Sequence, residues 1–248
     1  MKHSFSVRQN VAVFLLFIAS CHPQYRPSGL QYESYDVKAA VSDTAYESLL
    51  GPYRQQVEAT MNDIIAELPV DLVKSLPDGT LGNFMADAYL YMAKEKWDTS
   101  AALAYMNNGG IRRNGILAGP LRKGAVYELM PFDNLMVVQK VSGQVLQQFL
   151  DHIAEEGGGG VAGLSMKIQN KKAVDVKIQG QPIDLNRVYT MVNSDYVVNG
   201  GGRFLLFKDL PMNQTGYLLR DAILDYCRIH RQAGKPLPVD TQKRIIHD

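Results

Sequence analysis

Three short segments of this 248-residue chain gather side chains that could hold a small ligand. The first is Asn107-Asn108-Gly109-Gly110-Ile111-Arg112-Arg113, directly after the short apolar run 101–106. Consecutive asparagines and glycines permit positive φ and close approach of the backbone. Arg112 just beyond supplies a planar guanidinium fork suited to carboxylate or phosphate. The second segment, 193–204, repeats the arrangement: Asn199-Gly200-Gly201-Gly202-Arg203 follows an apolar run at 188–192, with Tyr196 close by. The third, Pro131-Phe132-Asp133-Asn134, opens the apolar run 135–141. Taken by composition, these are also what ordinary turns look like, and turns are the commoner case. Three polar loops at strand ends, bearing aromatic rings, would suit a flat aromatic ligand.

Other chemistry finds little support. Residues 158–163 formally match Gly-x-Gly-x-x-Gly, but a helical pattern precedes them and an alternating strand follows. A dinucleotide site needs the opposite order, strand then helix. Gly157 to Gly160 therefore reads as a flexible loop, and no Gly-Lys-Ser/Thr follows to make a phosphate loop. Beyond residue 20 the histidines are His22, His152, His230 and His247, scattered between the chain ends and two helices. No Asp-x-His or His-x-His spacing is present for a metal site, and no Ser/His/Asp constellation is evident. Glu155-Glu156, ending a helix, reads as ordinary surface charge.

The elements that must position the three loops follow from periodicity. Residues 35–41 could be a first strand. Ser42 or Asp43 would cap a helix to about Met61, interrupted near Gly51-Pro52. Thr80 would cap a helix that places Leu81, Met85, Ala88, Tyr89 and Met92 on one face. Ser142 would cap another, with Val145, Leu146, Phe149, Leu150 and Ile153 as its stripe. Residues 164–168 and 174–178 alternate like the arms of a hairpin. A last helix over 217–231 buries Cys227, read as an inert core thiol, and stops at Gly234 and Pro236. Helices and strands mix without strict alternation, which predicts an α+β fold: a mixed β-sheet flanked by helices.

Composition and charge exclude several classes. Hydrophobic residues make up 46% and charged residues 21%, which excludes a disordered chain. With 26 basic and 25 acidic residues the net charge is +1, so there is no basic footprint for a nucleic acid polymer. No apolar run approaches the ~18–20 residues of a membrane-spanning helix. Lys2 and Arg8 precede a short apolar stretch at 11–18, the pattern of an export signal. It ends Ile18-Ala19-Ser20-Cys21, which resembles the bacterial lipobox, with Cys21 lipidated. A plain secretory signal with an incidental cysteine is the alternative. The expected organisation is a signal peptide over 1–20, a tether over 21–34 and one domain over 35–248. Membrane contact would come through the lipid alone, in the cell envelope, on the outer membrane facing the periplasm.

Leu81-Gly82-Asn83, the Asn107–Arg112 run, Pro131-Phe132 with Asn134, residues 161–164 and the 193–201 run stand in an order that resembles the C-terminal domain of the 5′-nucleotidase and UDP-sugar hydrolase family. The resemblance implies a domain that binds the nucleoside part of a nucleotide. Phe132 and Tyr196 match the two rings that hold the base. Asn107 and Asn134 match positions offering amide contacts, and Arg112 matches an arginine approaching ribose or phosphate. Gly109, Gly110, Asn199 and Arg203 complete the expected binding set. Two departures stand out: Gly202 replaces an aspartate, and Lys74-Ser75 lies where an arginine is expected.

Catalysis in that family belongs to an N-terminal metallophosphoesterase domain with two metals. The expectation is therefore the recognition half of a split 5′-nucleotidase, inactive alone. It would hold no cofactor itself and would work with a separately encoded metallophosphoesterase carrying the divalent metals. The alternatives are a stand-alone periplasmic nucleoside- or nucleotide-binding lipoprotein, or a degenerate domain kept as an interaction module.

Overall fold

The computed structural model describes residues 32–35 and 43–247. The leader, Cys21 and all but Tyr35 of the strand expected at 35–41 lie outside the described residues. The chain divides into two compact units, Met1–Glu47 and Ser48–Asp248. Helix α1 (Thr44–Met61) begins where the Asp43 carboxylate accepts the Ala45 N–H at 2.9 Å. It runs through Pro52 without the expected interruption and buries none of its residues. Pro52 lacks the N–H that would reach the Ser48 carbonyl, and because Ser48 is exposed that carbonyl can be satisfied by water.

The second unit continues with β1 (Ile64–Leu68), β2 (Leu72–Val73), α2 (Thr80–Lys96) and β3 (Ala101–Met106). Next come β4 (Gly115–Ile116), β5 (Gly119–Arg122), α3 (Lys123–Leu129), β6 (Leu135–Ser142) and α4 (Gly143–Glu155). Then follow β7 (Gly160–Ala162), β8 (Leu164–Gln169), β9 (Lys172–Ile178), β10 (Gln181–Pro182), β11 (Val188–Ser194) and α5 (Asp195–Val198). The unit ends with β12 (Met212–Leu218), α6 (Leu219–Gln232) and β13 (Ile245–His247).

The central sheet has the order β12-β6-β11-β3-β7, with β3 and β11 parallel and the other pairs antiparallel. Side chains alternate across it, as the twofold period of a strand requires. Ala104 and Met106 of β3 join a core built with α2 and α6, while Leu103 and Tyr105 join a second core with α4. That second core is completed by a sheet of order β10-β9-β8-β13. Asn170 and Lys171, at φ 48° and 62°, make the tight turn of the β8–β9 hairpin. The fold is thus α+β, with mixed sheets flanked by helices, as periodicity predicts.

Two local expectations change and one holds. Thr80 is the first helical residue rather than the cap, and its hydroxyl accepts the Val73 N–H at 2.8 Å, tying β2 to α2. Ser142 does cap α4, accepting the Val145 N–H. The tetraglycine run is a packing device and not a loose loop. Gly159 donates to the Pro77 carbonyl at 2.9 Å, and any side chain on Gly158 or Gly160 would strike the Pro77 or Gly82 backbone. Asn83 closes the same contact, donating to the buried Asp78 carboxylate and accepting the Val161 N–H at 3.0 Å. Asp78 in turn accepts the backbone N–H groups of Arg244 and Ile245, which pins β13.

Candidate functional site

Because β3 is parallel to β11 and β6 is antiparallel to it, the end of β3, the end of β11 and the start of β6 fall at one edge of the sheet. The three polar loops singled out in the sequence leave or enter the sheet at that edge. Between them lies a cavity of about 510 Å³. Asn107, Gly109, Gly110, Arg112, Phe132, Asn134 and Tyr196 all line it. Asn199 and Arg203 do not.

The first loop is shaped by its own side chain. Asn107 Oδ1 accepts the Gly110 N–H at 2.6 Å and closes a single 3-10 turn over Asn108–Gly110. The loop then runs to Arg112, whose backbone N–H donates to the Leu129 carbonyl at 3.0 Å. The Arg112 guanidinium lies over the Phe132 ring, 4.8 Å from its centroid. Arg113 pairs instead with Glu128 at 2.7 Å and is not on the cavity wall.

The Phe132 loop is held from beneath. Arg220, at the start of α6, donates to the Met130 and Phe132 carbonyls at 3.4 and 3.2 Å and pairs with Asp133 at 2.7 Å. Its guanidinium also rests on the Tyr127 ring, 4.6 Å from the centroid. The Asn134 carbonyl accepts the Leu219 N–H at 2.9 Å, while its side-chain amide has no partner among the described residues. That amide offers both a donor and an acceptor.

Tyr196 stands in the first turn of α5, where Ser194 Oγ accepts the Val197 N–H and Asp195 Oδ1 accepts the Tyr196 N–H. The residue is 51% exposed. Gly201 backs it so closely that an added Cβ would lie 2.5 Å from the ring. Asn199 spends its amide on the Asp195 carbonyl at 2.8 Å. Arg203 sits in the left-handed region at φ 66° and is exposed. Gly202 does reach the wall, and its carbonyl lies 3.3 Å from His152 Nε2.

Sequence reasoning missed further lining residues, among them Tyr105, Gly158 and Glu156, and did not single out Phe204 within its loop. Tyr105 belongs to the apolar run 101–106 and Phe204 closes the second polar segment; both are buried. Glu155 and Glu156 are both exposed, as read, but Glu156 also borders the cavity, whereas Glu155 stays beside His152 at 3.9 Å. Burial, reinforced by the Glu156 charge, pushes the Tyr105 phenol above its ordinary pKa, so it remains a hydrogen-bond donor at neutral pH.

A dinuclear metal centre does not fit this donor set. Among the described residues no group of three or more His, Cys, Asp or Glu is placed to hold an ion. His152 is turned to the Gly202 carbonyl, and His230 to the Tyr226 carbonyl at 2.9 Å. What the cavity can do is bind a flat, polar molecule.

The profile of the 5′-nucleotidase C-terminal domain matches residues 60–209. A 5′-nucleotidase of Vibrio parahaemolyticus is 28% identical over 199 residues, covering 76% of this chain and 34% of that protein. The trifunctional nucleotide phosphoesterase YfkN of Bacillus subtilis is 34% identical over 156 residues, 56% of this chain and 10% of its own. The crystal structure of a 5′-nucleotidase precursor from Thermus thermophilus superimposes with a TM-score of 0.70 at 28% identity, over 82% of this chain and 43% of that one. The chain therefore spans less than half the length of these relatives. With its profile match running across both asparagine–glycine loops and the Phe132 loop, the chain belongs to the 5′-nucleotidase C-terminal domain family.

Proposed function

We propose that this chain recognises a nucleotide or nucleoside and presents it to a metallophosphoesterase made as a separate chain. The observation that carries the reading is the convergence of Arg112, Phe132, Asn134 and Tyr196 on one cavity in a domain of this family. The base stacks on the aromatic rings, and Asn134 pairs with a donor and an acceptor on its edge. Arg112 takes the anionic side of the ligand. The divalent metals that activate water in such hydrolysis are supplied by the partner, since the described residues of this chain do not supply the ligands.

The location proposed with it is the cell envelope, through a lipid on Cys21, on the periplasmic side of the outer membrane. Cys21→Ala is then expected to move the protein from the membrane fraction to the soluble periplasm. The central test combines calorimetric titration of the purified chain with AMP and an assay of AMP hydrolysis in Mg²⁺ or Mn²⁺. Binding without turnover is the expected result. Enzyme-like hydrolysis by the chain alone would overturn the division of labour, and absence of AMP binding at millimolar concentration would overturn the recognition role.

A further inference from the structure

Helix α1 carries an apolar face that no described residue covers. None of its 18 residues is buried, and Leu49, Leu50, Tyr53 and Val57 are 62, 46, 66 and 55% exposed. Tyr46, one turn earlier in the same helix, is 65% exposed. Isolated exposed apolar residues are ordinary, but these five share one side of a helix.

Their spacing states what kind of surface would cover them. Tyr46, Leu50, Tyr53 and Val57 follow one another at intervals of four, three and four residues, the alternation of a and d positions in a heptad repeat. The series ends there, because Thr60 turns its hydroxyl back to the Gln56 carbonyl at 2.9 Å. Gly51 and Pro52, which would disturb a helix contact, fall at the outward b and c positions. A seam of this spacing takes knobs from another helix with the same repeat. A lipid surface suits it less well. The charged residues of α1 are Glu47, Arg54 and Glu58, without the Lys and Arg excess of a helix that lies on anionic lipid.

A second copy of the chain brings such a helix, and charge sets its direction. Glu47 and Arg54 occupy successive e positions beside the seam, while Leu49 and Gln56 occupy the g positions. In a parallel pair e faces g, which would set both charges against Leu49 and Gln56. In an antiparallel pair e faces e, so Glu47 of each copy comes beside Arg54 of the other. The same register stacks Leu50 on Tyr53 and Tyr46 on Val57, twice each about a two-fold axis, as a closed self-complementary dimer requires. We propose that α1 is a dimerisation helix, which pairs antiparallel with α1 of a second copy through the Tyr46, Leu50, Tyr53 and Val57 seam. The inference is independent of the nucleotide reading above.

The test is sedimentation velocity of the full chain at concentrations from about 1 to 100 µM, the range for a seam of so few layers. The wild type is expected to move from the monomer towards twice its mass. Tyr53→Glu places a charge in the middle of the seam and is expected to raise the dissociation constant about tenfold or more. Because Tyr53 is exposed in the single chain, the melting temperature of the dilute protein is expected to stay unchanged. Glu47→Arg and Arg54→Glu each set like charges together across the axis and are expected to weaken the dimer several-fold. The double exchange restores opposite charges and is expected to recover the dissociation constant to within about threefold of the wild type. That recovery separates self-pairing from any effect on the helix itself, since Glu47→Arg also removes the acidic residue of the first turn. A wild type still monomeric at the highest concentration would overturn the proposal and leave the face to the catalytic chain or to lipid. A dimer indifferent to Tyr53→Glu, or a double exchange without recovery, would overturn it equally.

Discussion

The Arg220 guanidinium donates to the Phe132 carbonyl at 3.2 Å, so the first turn of α6 holds the loop that carries a cavity ring. The same guanidinium takes the Met130 carbonyl and the Asp133 carboxylate, and its side chain is only 11% exposed. Removing it would leave two carbonyls without their charged donor. Arg220→Ala is expected to destabilise the protein by about 2–3 kcal/mol, the range for hydrogen bonds to charged groups. Thermal unfolding checks the stability. AMP titration of the folded variant checks whether Phe132 has lost its place, with weaker binding expected.

Two glycines of the cavity loops should respond oppositely to the same substitution. A Cβ on Gly201 would meet both the ring and the carbonyl of Tyr196 at 2.5 Å, whereas a Cβ on Gly109 meets nothing within 4 Å. Gly201→Ala is expected to displace the Tyr196 ring and weaken AMP binding several-fold, at a cost of about 1–3 kcal/mol in stability from overpacking. Gly109→Ala is expected to stay within about 0.5 kcal/mol of the wild type. Paired melts and titrations would show the contrast, and equal behaviour of the two variants would contradict this geometry.

How far the molecule could be read in advance depends on the range of the interactions involved. The stripe of α4 was legible because Leu146, Phe149, Leu150 and Ile153 are buried on one side of that helix. The loop glycines and asparagines were legible because their turn chemistry is local, as the Asn107–Gly110 bond shows. Arg220 was not, since its carbonyl partners lie 88 and 90 residues away. Gly158 and Gly160 misled for the same reason: the backbone they abut belongs to Pro77 and Gly82. Strand β12 escaped notice because Asn213, Gln214 and Thr215 break any apolar pattern on an edge strand that stays largely exposed. That the exposed Glu156 also borders the cavity could not be read until the fold carried the end of α4 there.

Phe132 and Tyr196 offer their rings to the same cavity but are supported differently. Phe132 is half-buried beneath the Arg112 guanidinium, while Tyr196 is 51% exposed and backed by Gly201. Each alanine substitution is expected to weaken AMP binding by about 1–3 kcal/mol, the usual worth of base–aromatic stacking. Tyr196→Ala is expected to lower the melting temperature less, because about half of the residue already faces solvent. Phe132→Ala is expected to lower it, because the ring also packs on the core and carries Arg112. Unchanged affinity in both variants would remove the rings from the site.

Asp225 gives the fold a defined acid sensitivity. Partial burial by itself would raise its carboxyl, but hydrogen bonds from Tyr217 at 2.6 Å and Lys96 at 3.3 Å, with the Lys96 and Arg228 charges, hold it below the usual carboxylate range. A carboxyl lowered in the folded state contributes stability above its unfolded pKa of about 3.9 and loses it as pH falls towards the folded value. Asp225→Asn should therefore be less stable than the wild type at pH 7, and the gap should narrow as the pH drops below about 4. Melting temperatures of both proteins between neutral and acid pH give the comparison. A gap that stayed constant with pH would mean that Asp225 acts there through hydrogen bonding and packing, with no contribution from its charge.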